Sequence, residues 1–361
     1  MKGKSISLAV GLFSMLLTSC VYDHDGLDCM EEGPVTVSFT MAMEQHTPAT
    51  KADEYTWEDS YPASVGNEFE NRIISSSVHV FVYDENGFVD DVKILKWNVN
   101  EDGLAEFQGY FDMTSAGEYR FVVIANCTKE TYDIAYDGTA LLYQGNEPDL
   151  DALLFNAPTL SDMTLGTSAV PMWGVASLDI EAGEDAVDLG TVWMLRSLAK
   201  VEVALSSELS AQGYAISSAW VNNANIAGYS LPSSWQDISA TMELGHDEAF
   251  RPYSGAASAT KVSFTAEDGR YYIYLPEYDN YDSPSTIGLV LTKDGEEFKT
   301  YENGISFCNY VNGLPSEDPF NIVRNHLYRF TVNAIVTGED LELIITISDW
   351  NKFGADYDII L

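Results

Sequence analysis

Three pairs of strand-like segments follow one another in the second half of the chain, and a short turn sequence interrupts each pair. The turns are Asp268-Gly269, Asp294-Gly295 and Gly338-Glu339. Turns rich in Asp and Gly join antiparallel neighbours because Gly accepts positive φ. The flanking segments are residues 261–265 with 270–275, 289–293 with 296–301, and 327–336 with 341–347. Three consecutive hairpins predict an antiparallel β-sandwich.

The first half carries the same kind of signal. Residues 78–83 form a β-branched and aromatic run that stops at Asp84-Glu85-Asn86-Gly87, and residues 34–43 also have a strand pattern. Residues 119–125 are almost continuously apolar, as expected for a strand covered on both faces. Helical pattern is scarce, and residues 149–155 are predicted to make about two turns. The chain is therefore predicted to be all-β.

The amino terminus has the pattern of an export signal. Lys2 and Lys4 precede an apolar run over residues 6–17, which is long enough for a signal-peptide core and short for a bilayer span. The following Leu17-Thr18-Ser19-Cys20 resembles the bacterial lipobox, in which the cysteine sulfur takes a diacylglyceryl group before cleavage. Two or more acyl chains hold a protein stably on a membrane. Residues 1–19 are predicted to be a lipoprotein signal peptide, with Cys20 as the lipid site.

Charge excludes several classes of partner. Residues 1–19 contain two lysines and no acidic residue, so the formal net charge of −38 becomes −40 in a mature chain of 342 residues. Such a negative field repels nucleic acid and anionic lipid headgroups. We expect no nucleic-acid partner, and contact with the outer membrane only through acyl chains on Cys20.

The length of the mature chain favours a division into two domains. A small acidic stretch, residues 181–185, follows one strand-like segment and precedes another. We predict an acidic tether over residues 20–33, an N-terminal sandwich over 34–183 and a C-terminal sandwich over 184–361.

Three cysteines follow the lipid site: Cys29, Cys127 and Cys308. Export implies an oxidising compartment, where one disulfide leaves one thiol over. The sequence spacing of the three cysteines does not decide which of the three possible pairs forms the disulfide. Cys29–Cys127 is the preferred candidate because each residue borders a strand of the first domain. The cysteines and histidines lack metal-ligand spacing, so no metal site is predicted.

Sequence motifs for catalysis are absent. The chain has no HExxH, GxSxG, GxxxxGK[ST] or GxGxxG after a strand. We expect no enzyme activity and no cofactor. Residues 277–282 form the densest acid and aromatic cluster; we interpret them as an ordinary exposed loop, with calcium or sugar binding as the alternative.

Several segments together resemble one known family. "CVYDHDGLDC", "VHVFVYDENGFV", "YRFVVIANC", "MLRSLAKVEVAL", "NHLYRFTVNAI" and "LIITISDW" occur in the order seen in Bacteroidales fimbrial anchor lipoproteins. The resemblance implies two transthyretin-like β-sandwich domains and membership of the type V fimbrial system. Subunits of that system reach the outer membrane as lipoproteins and join one another by strand exchange. The implied partners are other fimbrial subunits.

The role within that system is left between two alternatives. An anchor keeps Cys20 and its first strand, whereas a stalk or tip subunit is matured by cleavage, for which Lys51 is the candidate site. The second cysteine and the acidic tether favour the anchor. The carboxyl end alternates polar and apolar residues, so Tyr357, Ile359 and Leu361 are a candidate donor strand. The alternative is that this segment closes its own domain.

A surface glycan-binding lipoprotein is the competing class. Seven tryptophans and 21 tyrosines could supply stacking platforms for a host or bacterial surface ligand. Trp173, Trp193 and Trp350 fall in strand-like runs, where core packing is the expected use. For Trp57, Trp97, Trp220 and Trp235 the sequence does not decide.

Overall fold

The computed structural model describes twelve segments of the chain. They are residues 33–43, 68–74, 77–99, 105–126, 149–166, 168–232, 235–236, 258–281, 284–311, 314–336, 340–349 and 359–360. The predicted signal peptide and residues 20–32 of the predicted tether lie outside these residues, and so do Lys51 and Cys127. Cys20 and Cys29 are among the tether residues that are not described.

Strands make up most of the described chain. The first ten are β1 Pro34–Met43, β2 Ile73–Ile74, β3 His79–Asp84, β4 Gly87–Asp91, β5 Lys93–Val99, β6 Ala105–Asp112, β7 Gly117–Ala125, β8 Leu154–Asn156, β9 Met172–Ile180 and β10 Ala186–Arg196. The others are β11 Leu198–Leu205, β12 Tyr214–Asn225, β13 Ala227–Tyr229, β14 Ser258–Ser263, β15 Thr265–Glu267, β16 Arg270–Pro276, β17 Thr286–Lys293, β18 Glu296–Ser306, β19 Cys308–Val311, β20 Leu314–Pro319, β21 His326–Val336, β22 Asp340–Asp349 and β23 Ile359–Ile360. The predicted all-β class is confirmed.

Helices in the described residues are short. They are α1 Leu160–Thr164, α2 Ser207–Ala211 and the 3₁₀ turns Glu68–Asn71 and Leu150–Ala152. Among them no helix is long and apolar enough to cross a bilayer. The predicted two-turn helix at residues 149–155 was wrong, because a single 3₁₀ turn there gives way to β8, which pairs with β13.

Eight strands of the N-terminal part form one sheet in the order β4-β3-β7-β9-β10-β1-β6-β5. β10 bridges its two halves, since residues 186–194 pair with β1 and residues 195–196 pair with β9. Apolar side chains of both halves enclose the N-terminal core, where Phe111 of β6 meets Phe121 of β7 with ring centroids 5.7 Å apart. The buried run of β7 confirms that both of its faces are covered.

Two further sheets enclose the C-terminal core. One has the order β15-β16-β11-β21-β22 and the other β14-β12-β17-β18. Val201, Val203 and Phe330 of the first sheet belong to the same buried cluster as Leu289 and Leu291 of the second. Most pairings in the described residues are antiparallel; β1–β10, β11–β21 and β2–β23 are parallel.

Two of the predicted Asp-Gly turns close hairpins, β15–β16 and β17–β18. Asp294 and Gly295 have φ of 51° and 88°, the positive values that a tight hairpin with right-handed strand twist requires. The strand predicted over residues 261–265 is instead divided. β14 pairs with β12, and the chain then crosses at the buried Phe264 to begin β15 in the other sheet.

Residues 32–361 group into one compact unit that holds both cores. The strand that follows the acidic stretch, β10, hydrogen bonds within the N-terminal sheet, and the chain changes sheet at Ser197. The division into domains at residues 183 and 184 stays a prediction.

A buried polar network joins the two parts. Glu70 lies in the 3₁₀ turn before β2. Its Oε1 forms an ion pair with Nζ of Lys200 in β11 at 2.6 Å and accepts a hydrogen bond from the Tyr274 hydroxyl. Burial and the neighbouring Glu70 carboxylate raise the pKa of Tyr274, which keeps its hydroxyl a donor. Arg196 donates to Asn71 and, at 3.2 Å, to Asn325. Unpaired charges in such a position are costly, so these partners fix residues 68–71 against β11 and β16.

Candidate strand-exchange site

The first strand lies inside a sheet, with a neighbour on each side. β1 pairs antiparallel with β6 from Pro34↔Asp112 to Met41↔Ala105, and parallel with β10 from Thr36↔Ala186 to Met43↔Met194. Both backbone edges of β1 are therefore hydrogen bonded along most of its length. A strand in this position can leave only if another strand replaces it or the sheet opens.

Alternate side chains of β1 point into the N-terminal core. Val35, Val37, Phe39 and Met41 are at most 2% exposed. The Phe39 ring stacks on Phe107 of β6, with centroids 5.2 Å apart. Burying four such side chains is worth about 6–12 kcal/mol, at about 1.5–3 kcal/mol each. That is comparable to the whole stability of a typical domain, so β1 is essential to this core.

The opposite face of β1 carries hydroxyl groups. Ser38 Oγ donates to the carbonyl of Val187 at 3.4 Å, and Thr40 Oγ1 lies 3.0 Å from Thr191 Oγ1. Thr40 also donates to the carbonyl of Gly190 at 3.3 Å, beside a bulge where the register with β10 shifts. Gly190 has φ of 66°, a conformation that glycine adopts without strain. These hydroxyls tie β1 to β10 in a fixed register.

The two partners of β1 are distant in sequence. Thr36 pairs with Tyr110 on one side and Ala186 on the other. β1 therefore has no hairpin turn to either neighbour. Its connections are the segments before residue 33 and from residue 44 to 67, which include Cys20 and Lys51 and lie outside the described residues. β1 therefore joins its sheet without a hairpin on either side.

Only part of the candidate donor strand is described. Ile359 and Ile360 pair in parallel with Ile73 and Ile74 of β2, within the same chain. Tyr357 and Leu361 lie outside the described residues. The backbone of β2 is itself held by Asn126, whose Oδ1 accepts from the Ile74 amide at 2.9 Å. The pairing agrees with a tail that closes its own fold, and donation to a neighbour stays a prediction.

The cysteines are only partly described. Cys308 is a buried free thiol at the start of β19, and burial raises its pKa. Cys29 and Cys127, the preferred disulfide candidates, lie outside the described residues. The disulfide stays a prediction.

In the acid and aromatic cluster, the described residues 277–281 include three that are buried, Glu277, Tyr278 and Asn280, so the interpretation as an exposed loop was wrong for these three. Glu277 is 1% exposed and its Oε1 lies 3.1 Å from Nη2 of the buried Arg324. The Tyr278 hydroxyl lies 2.8 Å from Ser285 Oγ, while Tyr281 is exposed. Within the described residues, no three His, Cys, Asp or Glu side chains are gathered as for a metal ion.

Sequence reasoning located β1 at its observed bounds but missed its neighbours. The strand pattern of residues 34–43 gave its bounds, while its inward apolar face and its hydroxyl face are seen only in the structure. The parallel partner β10 left no signal, because pairing across about 150 residues has no local pattern. The ion pairs of Glu70 and Glu277 were likewise invisible, since their partners are far away in sequence.

The comparisons with known proteins assign the family. The sequence matches "Fimbrillin-A associated anchor proteins Mfa1 and Mfa2" over residues 28–352, and the chain belongs to this family. No curated protein matches the sequence. Membership makes the chain a fimbrial subunit at the cell surface, acting with other fimbrial subunits in a structural, non-enzymatic role.

Two solved structures illustrate what this chain is similar to. A putative cell adhesion protein from Parabacteroides distasonis has a TM-score of 0.52 and 15% identity, with 88% of this chain and 97% of that chain covered. The tip fimbrial protein Mfa3 from Porphyromonas gingivalis, with C-terminal truncation, has a TM-score of 0.46 and 12% identity, with 88% and 100% covered. The similarity to the Parabacteroides distasonis protein shows the fold.

Proposed function

We propose that this chain is the lipid-anchored subunit that holds a fimbrium on the outer membrane and joins the stalk by strand exchange. Acyl chains on Cys20 would fix the protein to the membrane, and the acidic segment up to residue 33 would lead directly into β1. The observation that carries the proposal is β1 itself, a central strand that begins where this tether ends.

Retention of β1 distinguishes an anchor from a polymerising subunit. A pull on Cys20 would load β1 along its length, so its hydrogen bonds to β6 and β10 would share the force. The hydroxyl bonds of Ser38 and Thr40 add side-chain ties on the β10 side. A subunit cleaved at Lys51 would lose this load-bearing strand, whereas an uncleaved one keeps membrane and sandwich in one covalent chain.

Joining to the stalk is assigned to the other end of the chain. A carboxyl-terminal strand that completes a neighbour's sheet gains a full backbone ladder and alternating side-chain pockets. Tyr357, Ile359 and Leu361 would supply the apolar side chains. Since Ile359 pairs with Ile73 in the isolated subunit, donation requires this short pairing to open. Two residue pairs oppose that opening far less than a full ladder would.

The state of the mature amino terminus tests the anchor role. We expect intact-mass measurement of the outer-membrane protein to give one species that begins at acylated Cys20, and fatty-acid labelling to be lost in Cys20→Ala. Lys51→Gln should leave the mass and the number of cell-bound fibres unchanged. A mature species that begins at residue 52, absent in Lys51→Gln, would instead identify a stalk or tip subunit.

Removal of residues 355–361 tests the donor role. We expect a folded, lipidated protein from which fibres detach into the medium. Cell-bound fibres in normal number would contradict donation by this segment. Loss of folding would show that it closes its own chain. Ile73→Ala is the matched control, because it weakens the intramolecular pairing while leaving the donor sequence intact.

A further inference from the structure

The outer face of the four-stranded sheet carries a polar and aromatic patch built from all four strands. We call it the β12 face patch, and its members are Trp220, Asn222, Lys261, Thr286, Glu302 and Asn303. Lys261 pairs with Asn222, and Asn222 with Thr286, so neighbouring strands present these side chains on one face. The patch lies on the side of β12 away from the C-terminal core, whose buried cluster includes Ala219 and Val221 but not Trp220.

Trp220 lies flat on this face. Its pairing partner on β17 is Gly288, and a Cβ there would come within 2.2–2.4 Å of three indole atoms, Nε1 among them. The missing side chain of Gly288 therefore makes room for the ring. Trp220 is 5% exposed, and its Nε1 has no hydrogen-bond partner within the described part of the chain. A buried donor without a partner costs about 1–3 kcal/mol, which marks this N–H as available to a ligand.

A movable side chain covers the ring. The Lys261 ammonium lies 3.5 Å from the indole centroid, while half of the Lys261 side chain is exposed. Its ion pair with Glu302 spans 3.9 Å between two exposed groups, and such pairs contribute little. Lysine can turn away along its flexible stem without disturbing the sheet. The ammonium can therefore leave its position over the ring at small energetic cost.

The polar edge of the patch is rigid by comparison. Asn222 Nδ2 donates to Asn303 Oδ1 at 3.0 Å and to the Glu302 carbonyl at 2.7 Å. Thr286 Oγ1 donates to the same Asn303 oxygen at 2.7 Å. With its oxygen held by two donors, Asn303 turns its NH₂ group to the other side. The exposed Asn303 and Glu302 then offer an outside molecule one fixed donor and one acceptor.

We propose that the β12 face patch binds a neutral hexose unit of a glycan. The apolar C–H face of the sugar would take the place of the Lys261 ammonium over Trp220. Sugar hydroxyls would accept from Trp220 Nε1 and from the Asn303 amide, and donate to the Glu302 carboxylate. The net charge of −38 disfavours anionic ligands and selects neutral sugars. The site does not depend on the anchor role.

Calorimetric titration of the full chain with maltohexaose, cellohexaose and mannohexaose tests the site. We expect at least one of these to bind and to change tryptophan fluorescence. Trp220→Phe and Asn303→Ala should each weaken binding about 3- to 10-fold, the value of one or two hydrogen bonds. Lys261→Ala should bind as tightly as the original chain or more tightly, because it uncovers the ring. Trp97→Phe, in the N-terminal sheet, is the control and should bind normally.

Melting curves would verify that each variant is folded before titration. The proposal is overturned if none of the three hexose oligomers binds at millimolar concentration. It is equally overturned if folded Trp220→Phe or folded Asn303→Ala binds as tightly as the original chain, or if only an anionic oligomer such as oligogalacturonate binds.

Discussion

The N-terminal and C-terminal cores are both enclosed by sheets, yet their strands are connected differently. In the C-terminal part, β15–β16, β17–β18 and β21–β22 pair with the next strand along the chain. In the N-terminal part, β1 comes from the chain end and lies between β6 and β10, with no turn to either. Loop closure over long distances costs entropy before any contact repays it. Neighbouring strands also pair in the N-terminal part, at β3–β4 and β5–β6, and β11 of the C-terminal part also pairs at long range with β21. The difference therefore lies in β1, which completes the N-terminal core without a hairpin.

Deleting residues 34–43 should have the largest effect, because it should destabilise the N-terminal core and leave the C-terminal core folded. We expect the N-terminal core to lose cooperative unfolding, because about 6–12 kcal/mol of side-chain burial is removed. Hydrogen exchange should show loss of protection in β6 and β10 and continued protection in β11 and β17. A synthetic peptide of residues 33–44 should restore the lost protection. Unchanged protection in β6 and β10 would contradict the assigned role of β1.

The same substitution in each core measures whether the two unfold together. Phe39→Ala and Phe330→Ala each remove a fully buried ring and should cost about 3–5 kcal/mol. If the cores are independent, each variant lowers a different calorimetric transition. A single transition lowered equally by both would mean that the Glu70–Lys200 network couples the cores into one cooperative unit. Phe298→Ala, at a side chain 42% exposed, is the mild control.

Acid should weaken the N-terminal core through His79. Burial lowers the pKa of His79 from 6.5 to about 4, so between these values the unfolded chain binds the proton more strongly than the folded one. Stability should fall as the pH decreases through this window, by about 2–3 kcal/mol. Urea unfolding at several pH values measures the slope. His79→Gln should flatten it, and an equal slope in that variant would assign the effect to other groups.

Loss of a single hydroxyl should have the smallest effect on stability. Its effect on hydrogen-exchange rates should differ between the two cores. Thr40→Val removes the contacts with Thr191 and Gly190, while Thr292→Val removes a bond to the Ala215 carbonyl in the C-terminal part. Each should cost about 0.5–1.5 kcal/mol. Only Thr40→Val should speed hydrogen exchange in β1. Equal exchange rates in both variants would show that the hydroxyl face does not retain this strand.

Local patterns explain what could be predicted. The bounds of β1, the run at β3 and the turns at Asp268 and Asp294 follow from alternation, β-branched content and Gly preference, which act over a few residues. Failures came where distant groups decided the outcome. Residues 149–155 extend into β8 because β13 pairs with them, and Glu277 is buried because Arg324 neutralises it.

The β12 face patch likewise depends on contacts between residues distant in sequence, which local patterns do not predict. The sequence offered Trp220 as one of several undecided tryptophans, without a reason to prefer it. Only the structure shows that Gly288 and Lys261 contact Trp220, because β17 and β14 bring them to either side of the indole. Asn303 is positioned by Asn222 and Thr286, from two other strands.

By itself the sequence determined the all-β class, the hairpins of the C-terminal part, the bounds of β1 and a lipobox-like amino terminus. These follow from the period of side chains along a strand and from turn chemistry, which need no distant partner. Only the tertiary structure decided that β1 lies between β6 and β10, that Ile359 pairs with Ile73, and that the buried Glu70–Lys200 ion pair joins the two parts. Those outcomes depend on backbone and charged groups finding partners more than 60 residues away, because burial leaves them no water to bind instead.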